Sequence, residues 1–334
     1  MIILGIETSC DETSCAVLIG DEIKSNVVSS QVFHSQYGGV IPELASRAHI
    51  KLIVPIAKEA LKKANITKKN IEAIAVTQSP GLMGALLVGV NFAKALSFSF
   101  DIPLVAVNHL EGHIYSIFLE KEKPSFPFIC LIVSGGHTQI ILVENFFQHK
   151  ILGETLDDAC GESFDKVAKI LSLPYPGGPS IDKFAKFGNP KAIHFPKPII
   201  PNTFNFSFSG IKTSVLYYLR DNNLILNEKK TIEESLLKDI CASFQSTVVD
   251  ALILQTISAA KKNGVNDIAI VGGVSANSHL RKQMLEVSQK NNLKLHIPKL
   301  EYSTDNAAMI AYVGKLKVEN KIFSNLNLVP KPNL

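Results

Sequence analysis

Short apolar runs suited to strands alternate along this chain with longer stretches of helical period. Ile2–Thr8 is apolar and rich in β-formers, Cys10–Thr13 is a polar turn, and Ser14–Ile19 reads as a return strand. Roughly 120 residues further on the same layout recurs: strand Phe128–Val133, Gly-rich turn Ser134–His137, strand Thr138–Val143. The two units share layout, not residue identity, and point to a duplicated domain. Helical periodicity marks Leu52–Ala64, Leu82–Ser97 and Ile232–Lys261. In the last, Leu236, Ile240, Phe244, Val248 and Leu252 repeat at about four-residue spacing, the signature of a buried helix face. Strands Ile71–Thr77, Leu104–Val107 and Asp267–Val271 alternate with these helices. That order predicts α/β layers with largely parallel central strands. Phe187–Asn205, rich in Pro and Asn, reads as a loop or insertion crossing one face.

Length changes the picture first. A chain of 334 residues exceeds one ordinary core and suggests two domains of roughly 150 residues each. Apolar residues make up 46%, so a sizeable core is available. No uninterrupted apolar run approaches the length of a membrane span. The start, MIILGIETSCDE, has neither a basic n-region nor a small-residue cleavage site, so it does not read as a signal peptide. The expectation is a cytoplasmic protein without a membrane partner. Five cysteines, Cys10, Cys15, Cys130, Cys160 and Cys241, are dispersed with no C-x-x-C pair, which suggests reduced thiols. Net charge is +4 and the only arginines are Arg47, Arg220 and Arg281, so charge alone does not argue for nucleic acid.

Four Gly-Gly pairs occur: Gly38-Gly39, Gly135-Gly136, Gly177-Gly178 and Gly272-Gly273. Val133-Ser134-Gly135-Gly136-His137 and Gly272-Gly273-Val274-Ser275-Ala276-Asn277 each follow an apolar strand. Glycine there permits positive φ or close approach of backbone N–H groups to a phosphate. A tight turn without ligand is the plain alternative. The second motif also leads into a helix over His279–Gln289, whose N-terminus favours anions. In His109-Leu110-Glu111-Gly112-His113, two histidines at i and i+4 share one helix face and can reach one metal ion. A zinc protease places its glutamate directly after the first histidine; here that position is Leu110, and Glu111 lies about 200° round the helix. The protease reading is therefore rejected, while a metal or a plain polar surface stays open. Asp305, ahead of an apolar helix over Ala307–Lys315, is a candidate third ligand or an N-cap. Asp11 lies in the first hairpin loop beside Glu12, as a candidate proton acceptor or a solvated turn carboxylate.

Taken together, these motifs give the chain a resemblance to the tRNA N6-adenosine threonylcarbamoyltransferases. It is carried by ordered blocks along nearly the whole sequence. They include Gly5-Ile6-Glu7-Thr8-Ser9-Cys10-Asp11-Glu12-Thr13, the run from His34 through Tyr37-Gly38-Gly39-Val40-Ile41-Pro42-Glu43 to His49, and Asn108 through His113. Further blocks are Val133 through Thr138, Asp157 through Lys166, Pro176 through Pro179, Phe206 through Gly210, Gly272 through Asn277, and Thr304-Asp305-Asn306. The Tyr-Gly-Gly-Val-Ile-Pro-Glu block resembles the bacterial and organellar branch.

The resemblance implies an α/β fold of the actin/sugar-kinase/Hsp70 (ASKHA) type, with two duplicated lobes around a nucleotide cleft. The expected division is residues 1–110, residues 111–300, and a C-terminal helix within 301–334 packing back on the first lobe. The activity implied is transfer of a threonylcarbamoyl group from threonylcarbamoyl-AMP to N6 of the adenosine next to the anticodon. The resemblance carries His109, His113 and Asp305 over as ligands of one divalent metal, iron favoured and zinc possible. It carries Ile132, Val133, Ser134, Gly135, Gly136, Asp165, Gly178, Asp182 and Asn277 over as donor contacts, and Asp11 as the carboxylate needed for activity. The partners it implies are tRNA, an inactive paralogous subunit and a small ATPase. A small-molecule kinase of the same fold class is the leading rival, followed by a metalloprotease and a non-catalytic nucleotide-binding scaffold.

Overall fold

The computed structural model describes residues 1–226, 229–230 and 232–333. The chain forms two compact units, Met1–Lys121 with Pro298–Leu334, and Glu122–Ile297.

The first unit opens with strands β1 (Ile2–Glu7), β2 (Glu12–Ile19) and β3 (Glu22–Ser30) as an antiparallel meander. Helix α1 (Pro42–Lys63), strand β4 (Ala73–Ser79), helix α2 (Met83–Phe100), strand β5 (Leu104–Asn108) and helix α3 (His109–Ser116) follow. The sheet order is β3-β2-β1-β4-β5, with β1, β4 and β5 mutually parallel. The N-terminal hairpin expected from the sequence is therefore present, extended by an edge strand. The pattern did not reveal β3 because only Ser25 and Val27 along it are buried, and edge strands keep polar faces. Helix α1 starts ten residues before the Leu52 that periodicity marks. Its first turns bury Ala45 and His49, a small residue and a polar one, so no apolar stripe shows. Pro42 at the first turn is suited to a helix start.

The second unit repeats this plan. Strands β6 (Phe128–Val133), β7 (Thr138–Asn145) and β8 (Gln148–Glu154) form the meander. Helices α4 (Cys160–Ile170), α5 (Gly177–Ala185) and α6 (Ser209–Asp221), a short hairpin of β9 (Ile225–Leu226) and β10 (Lys229–Lys230), and the long helix α7 (Glu234–Asn263) come next. Strand β11 (Asp267–Val271), helix α8 (Ser278–Lys290) and strand β12 (Lys294–His296) complete the unit. The order β12-β11-β6-β7-β8 mirrors the first sheet, with β6, β11 and β12 parallel. The duplication is thus one of topology: an antiparallel meander continued by parallel strands. The segment 187–205 contains no named helix or strand. It is tied to α7 where Asn189 N–H donates to Asp239 and Ile193 N–H to Ser243.

The chain then returns to the first unit with α9 (Leu300–Ser303) and α10 (Ala307–Glu319). Helix α10 lies directly on β1, because Gly5 has no side chain: a Cβ there would sit 2.4 Å from the Ala307 carbonyl oxygen. Among the described residues two helices have the length and composition of a membrane span, α2 and α7. Both are interrupted by polar residues, Asn91 and Lys94 in α2 and Gln245 and Asp250 in α7, so neither is an uninterrupted apolar run. In α7, 78% of the apolar window is buried within the fold, whereas α2 turns Leu86, Val90 and Ala93 inward and carries Lys94.

Candidate active site

The parallel strands place their carboxyl ends side by side. In register, Ile6 faces Val76, Val76 faces Ala106, and Thr77 faces Val107. Glu7, Thr77 and the residues just after Asn108 therefore end in one row. Asn108 caps α3 by accepting from Leu110 N–H at 2.8 Å and Glu111 N–H at 3.2 Å, which fixes where His109 and His113 project. The two rings stand edge to face, 4.7 Å between centroids and 85° between planes. Asn306, not Asp305, caps α10 by accepting from Met309 N–H. Asp305 is thereby free to turn to the histidines. One of its oxygens, Oδ1, lies 3.1 Å from His113 Nε2 and 3.4 Å from His109 Nε2. Ligand atoms of the three residues all fall within 4.8 Å of one another. Two imidazole nitrogens and a carboxylate oxygen converging this closely fit one divalent transition metal. Glu111 pairs with Lys317 at 2.9 Å and is not part of this convergence.

The charges around this site balance one another. Burial opposes charge on His109, yet the Asp305 and Glu7 carboxylates outweigh it and hold the imidazole well above its ordinary value. Burial likewise opposes ionisation of Asp305, but His109 and the hydrogen bonds from both histidines hold the carboxyl well below the usual range. Glu7, fully buried, is lowered for the same reason: burial would raise it, and His109 outweighs burial. A divalent cation held by these three residues would itself offset the two carboxylates.

Asp11 follows β1 in the hairpin loop, where its carbonyl accepts from Gln31 N–H. Its neighbour Glu12 is pushed up to about 9 by burial, then by the Asp305 and Asp11 carboxylates, and it hydrogen-bonds to Asp11. The loop is held from behind. His49 Nε2 donates to the Cys10 carbonyl at 2.8 Å, and His49 Nδ1 accepts from the Thr13 hydroxyl at 2.8 Å. His34 Nδ1 accepts from Ile41 N–H, so its Nε2 donates to Gln31 Oε1 at 3.0 Å. Gln31 in turn donates to the Ala45 carbonyl.

The candidate donor residues all belong to the second unit. Ile132 and Val133 are fully buried strand residues, so only their backbone is available to a ligand. Val133 leads into Ser134, Gly135 and Gly136, and Gly161 packs against the Ser134 carbonyl. Asp165 accepts from Gly177 N–H at 2.7 Å, which anchors the start of α5 next to Gly178. Asp182 accepts from the Ser278 hydroxyl at 2.9 Å, linking α5 to α8. Asn277 caps α8 through Leu280 N–H and donates to Gln245 on α7. A Cβ added at Gly135, Gly136, Gly178 or Gly273 would meet no atom within 4 Å. The turns after β6 and β11 and the first turn of α5 thus present bare backbone to open space. Among the paired glycines of these loops only Gly272 has positive φ, +90°, and a Cβ there would strike the Val133 carbonyl at 2.5 Å. Exposure of backbone fits Gly135, Gly136, Gly178 and Gly273, whereas Gly177 is required by close packing, a Cβ there lying 2.6 Å from Asp165 Cα.

Residue reasoning missed Glu7, Ser9 and the Gln31–His34–His49 network. A signal was present for Glu7. A lone carboxylate in the apolar run Ile2–Thr8 must have a buried partner.

Two duplicated α/β units of this topology, one bearing a two-histidine, one-carboxylate site, define an ASKHA-type protein with a candidate metal centre. Solved structures agree on the fold. HypF from T. kodakarensis matches with a TM-score of 0.64 at 16% identity, covering 96% of this chain and 48% of that one. The activator of the 2-hydroxyisocaproyl-CoA dehydratase from Clostridium difficile matches with 0.53 at 14% identity, covering 97% and 99%. The family model for tRNA N6-adenosine threonylcarbamoyltransferase matches residues 22–312. The proteins of that name from Christiangramia forsetii and Riemerella anatipestifer are 52% and 50% identical to it. Each comparison covers 98% of this chain, and 96% and 95% of the relatives. The chain belongs to the tRNA N6-adenosine threonylcarbamoyltransferase family.

Proposed function

We propose that this chain transfers the threonylcarbamoyl group of threonylcarbamoyl-AMP to N6 of the adenosine adjacent to the anticodon in tRNA. The observation that carries the reading is the convergence of His109, His113 and Asp305 in a chain of this family. A divalent ion held there, iron by preference or zinc, would supply Lewis-acid charge stabilisation through open coordination positions. In the reaction the adenine amine attacks the carbamoyl carbon. An N–C bond forms, the bond from that carbon to the phosphate oxygen breaks, and AMP departs. Asp11 orients the amine and accepts the proton it loses. The Gly135-Gly136, Gly178 and Gly273 loops bind the adenylate with backbone N–H groups, while Asp165, Asp182 and Asn277 keep those loops in place. The donor is already activated, so positioning can supply as much as about 7–11 kcal/mol without a covalent nucleophile.

We assign tRNA as acceptor and expect its phosphates to meet lysines, with salt-dependent affinity. An inactive paralogous subunit and a small ATPase are the proposed protein partners, and the cytoplasm the proposed location. For the paralogue, α1 and α2 offer a matched surface: Ile50 and Val54 on one, Met83 and Leu87 on the other, all exposed on helices that pack together.

The test is a transfer assay with partners, unmodified tRNA and threonylcarbamoyl-AMP, read by mass spectrometry of digested nucleosides. Threonylcarbamoyl-adenosine that vanishes in a His109→Ala/His113→Ala variant supports the reading. Absence of product with intact partners shifts it to a kinase or scaffold of the same fold.

A further inference from the structure

Glu7 is 0% exposed and sits at the end of β1, in a position where an unpaired carboxylate would be strongly disfavoured. Three donors converge on its two oxygens. Oε1 accepts from Ser9 N–H at 2.5 Å. Oε2 accepts from the Thr77 hydroxyl at 2.5 Å and lies 3.0 Å from His109 Nδ1. The carboxylate is thus locked between its own loop and β4, and its remaining valence is directed at one ring nitrogen of His109. The other ring nitrogen, Nε2, is the one that faces Asp305. Ser9 Oγ also approaches His109 Nδ1, at 3.2 Å, but Ser9 is itself held by Glu7. His113 differs: its Nε2 faces Asp305, and its buried Nδ1 has no hydrogen-bond partner among the described residues.

We propose that Glu7 is a positioning residue for the metal centre, holding His109 with its proton on Nδ1 and its Nε2 lone pair directed at the site shared with His113 and Asp305. The inference rests on the metal reading above and deepens it. Glu7 touches neither metal nor substrate; it acts through His109. A carboxylate behind a ligating imidazole fixes the tautomer and ring orientation and raises ligand basicity. The two histidines are therefore unequal: His109 has a carboxylate behind it on Nδ1, and His113 has none.

The competing account is that Glu7 is only a tie between β1 and β4. Replacing Glu7 with Gln separates the two. The amide keeps the shape but has one acceptor oxygen, so at least one of the three donors faces another donor. Thr77→Val removes a different partner of Glu7 and leaves the contact with His109. Zn²⁺ affinity is measured by chelator competition on metal-free protein, with Co²⁺ visible absorption as the spectroscopic readout and thermal melting as the folding control. Glu7→Gln is expected to weaken Zn²⁺ binding about 10- to 100-fold and to shift the Co²⁺ bands. Thr77→Val is expected to lower the melting temperature with the bands unmoved. Wild-type affinity and bands in Glu7→Gln, or equal band shifts in both variants, overturn the proposal. Should Glu7→Gln not fold, ¹⁵N-histidine NMR of the Zn²⁺-loaded wild type decides: a proton on His109 Nδ1 upholds the proposal and metal on Nδ1 overturns it. Failure of the metal reading itself looks different, since wild type and His109→Ala/His113→Ala would then bind Zn²⁺ alike.

Discussion

At the scale of single residues, the site is a set of buried charges that offset one another, and Asp11 is the carboxylate to which the proposed function gives the proton transfer. General acid–base groups contribute about 10²–10⁴-fold. Asp11→Asn is expected to lower turnover by that order while leaving Zn²⁺ content and the melting temperature unchanged; a variant with wild-type turnover would remove Asp11 from the mechanism. His49, behind the same loop, links the loop to pH. Burial lowers its imidazole below the ordinary value of about 6.5, against the opposing pull of the Cys10 carbonyl and of Glu7. The unfolded chain therefore takes up this proton at higher pH than the folded one. The contribution of His49 is intact above about pH 6.5 and is lost as pH falls through the lowered folded value. Denaturant midpoints should decline over that window in the wild type, and His49→Gln should flatten this part of the profile. An unaltered slope in the variant would assign the decline to other groups. Much of this residue scale was legible beforehand. The i, i+4 histidines could be read from helix geometry, whereas Asp305 needed 192 residues of intervening fold to reach His113. Glu7 escaped because attention to apolar strands passes over the one residue in them that is not apolar.

At the scale of elements, the carboxyl ends of the parallel strands in each sheet lead into several of the candidate site residues, His109 after β5, Ser134 after β6 and Asn277 after β11. The turn after β11 shows how tightly this is specified. Gly272 combines φ of +90° with a Val133 carbonyl 2.5 Å from where a Cβ would lie. Gly272→Ala is expected to lower stability by at least ~2 kcal/mol, from backbone strain together with displacement of β6. Chemical denaturation measures this; Gly273→Ala, at a position with open space, is the comparison and should lose far less. Strongly apolar central strands and helices were legible from pattern: β6 and β11 span the residues that the pattern marks, and β1 ends one residue earlier, at Glu7. Edge strands β3 and β8 were not, because their outward residues are polar and their pairing supplies the order. The start of α1 was hidden for a related reason, its buried face being Ala45 and His49 in place of large aliphatics.

At the scale of the whole molecule, the question is which surface the chain reserves for another protein. Net charge is a mild +4, and the surface proposed on α1 and α2 is an apolar one. Ile50 and Val54 lie one turn apart on α1, and Met83 and Leu87 one turn apart on α2. Their inward neighbours Ile53, Leu86 and Val90 already secure the helices to the first unit, so the outward residues are not needed for that packing. We propose that these exposed apolar residues on paired helices form the association surface, which a paralogue of the same fold would meet with equivalent helices. A charge placed at its centre must be desolvated on association. Ile50→Asp with Leu87→Asp is therefore expected to leave the melting temperature of the isolated chain within about 2 °C, since surface changes rarely exceed ±0.5 kcal/mol. The same pair should weaken pairing with the paralogous subunit about 30-fold or more, as truncation of a central interface cluster does at about 2–4 kcal/mol. Analytical ultracentrifugation of the mixed subunits reads the second effect directly. Undiminished pairing in the double variant would move the partner to another face, and a collapsed melting temperature would mean that these residues belong to the core of the unit.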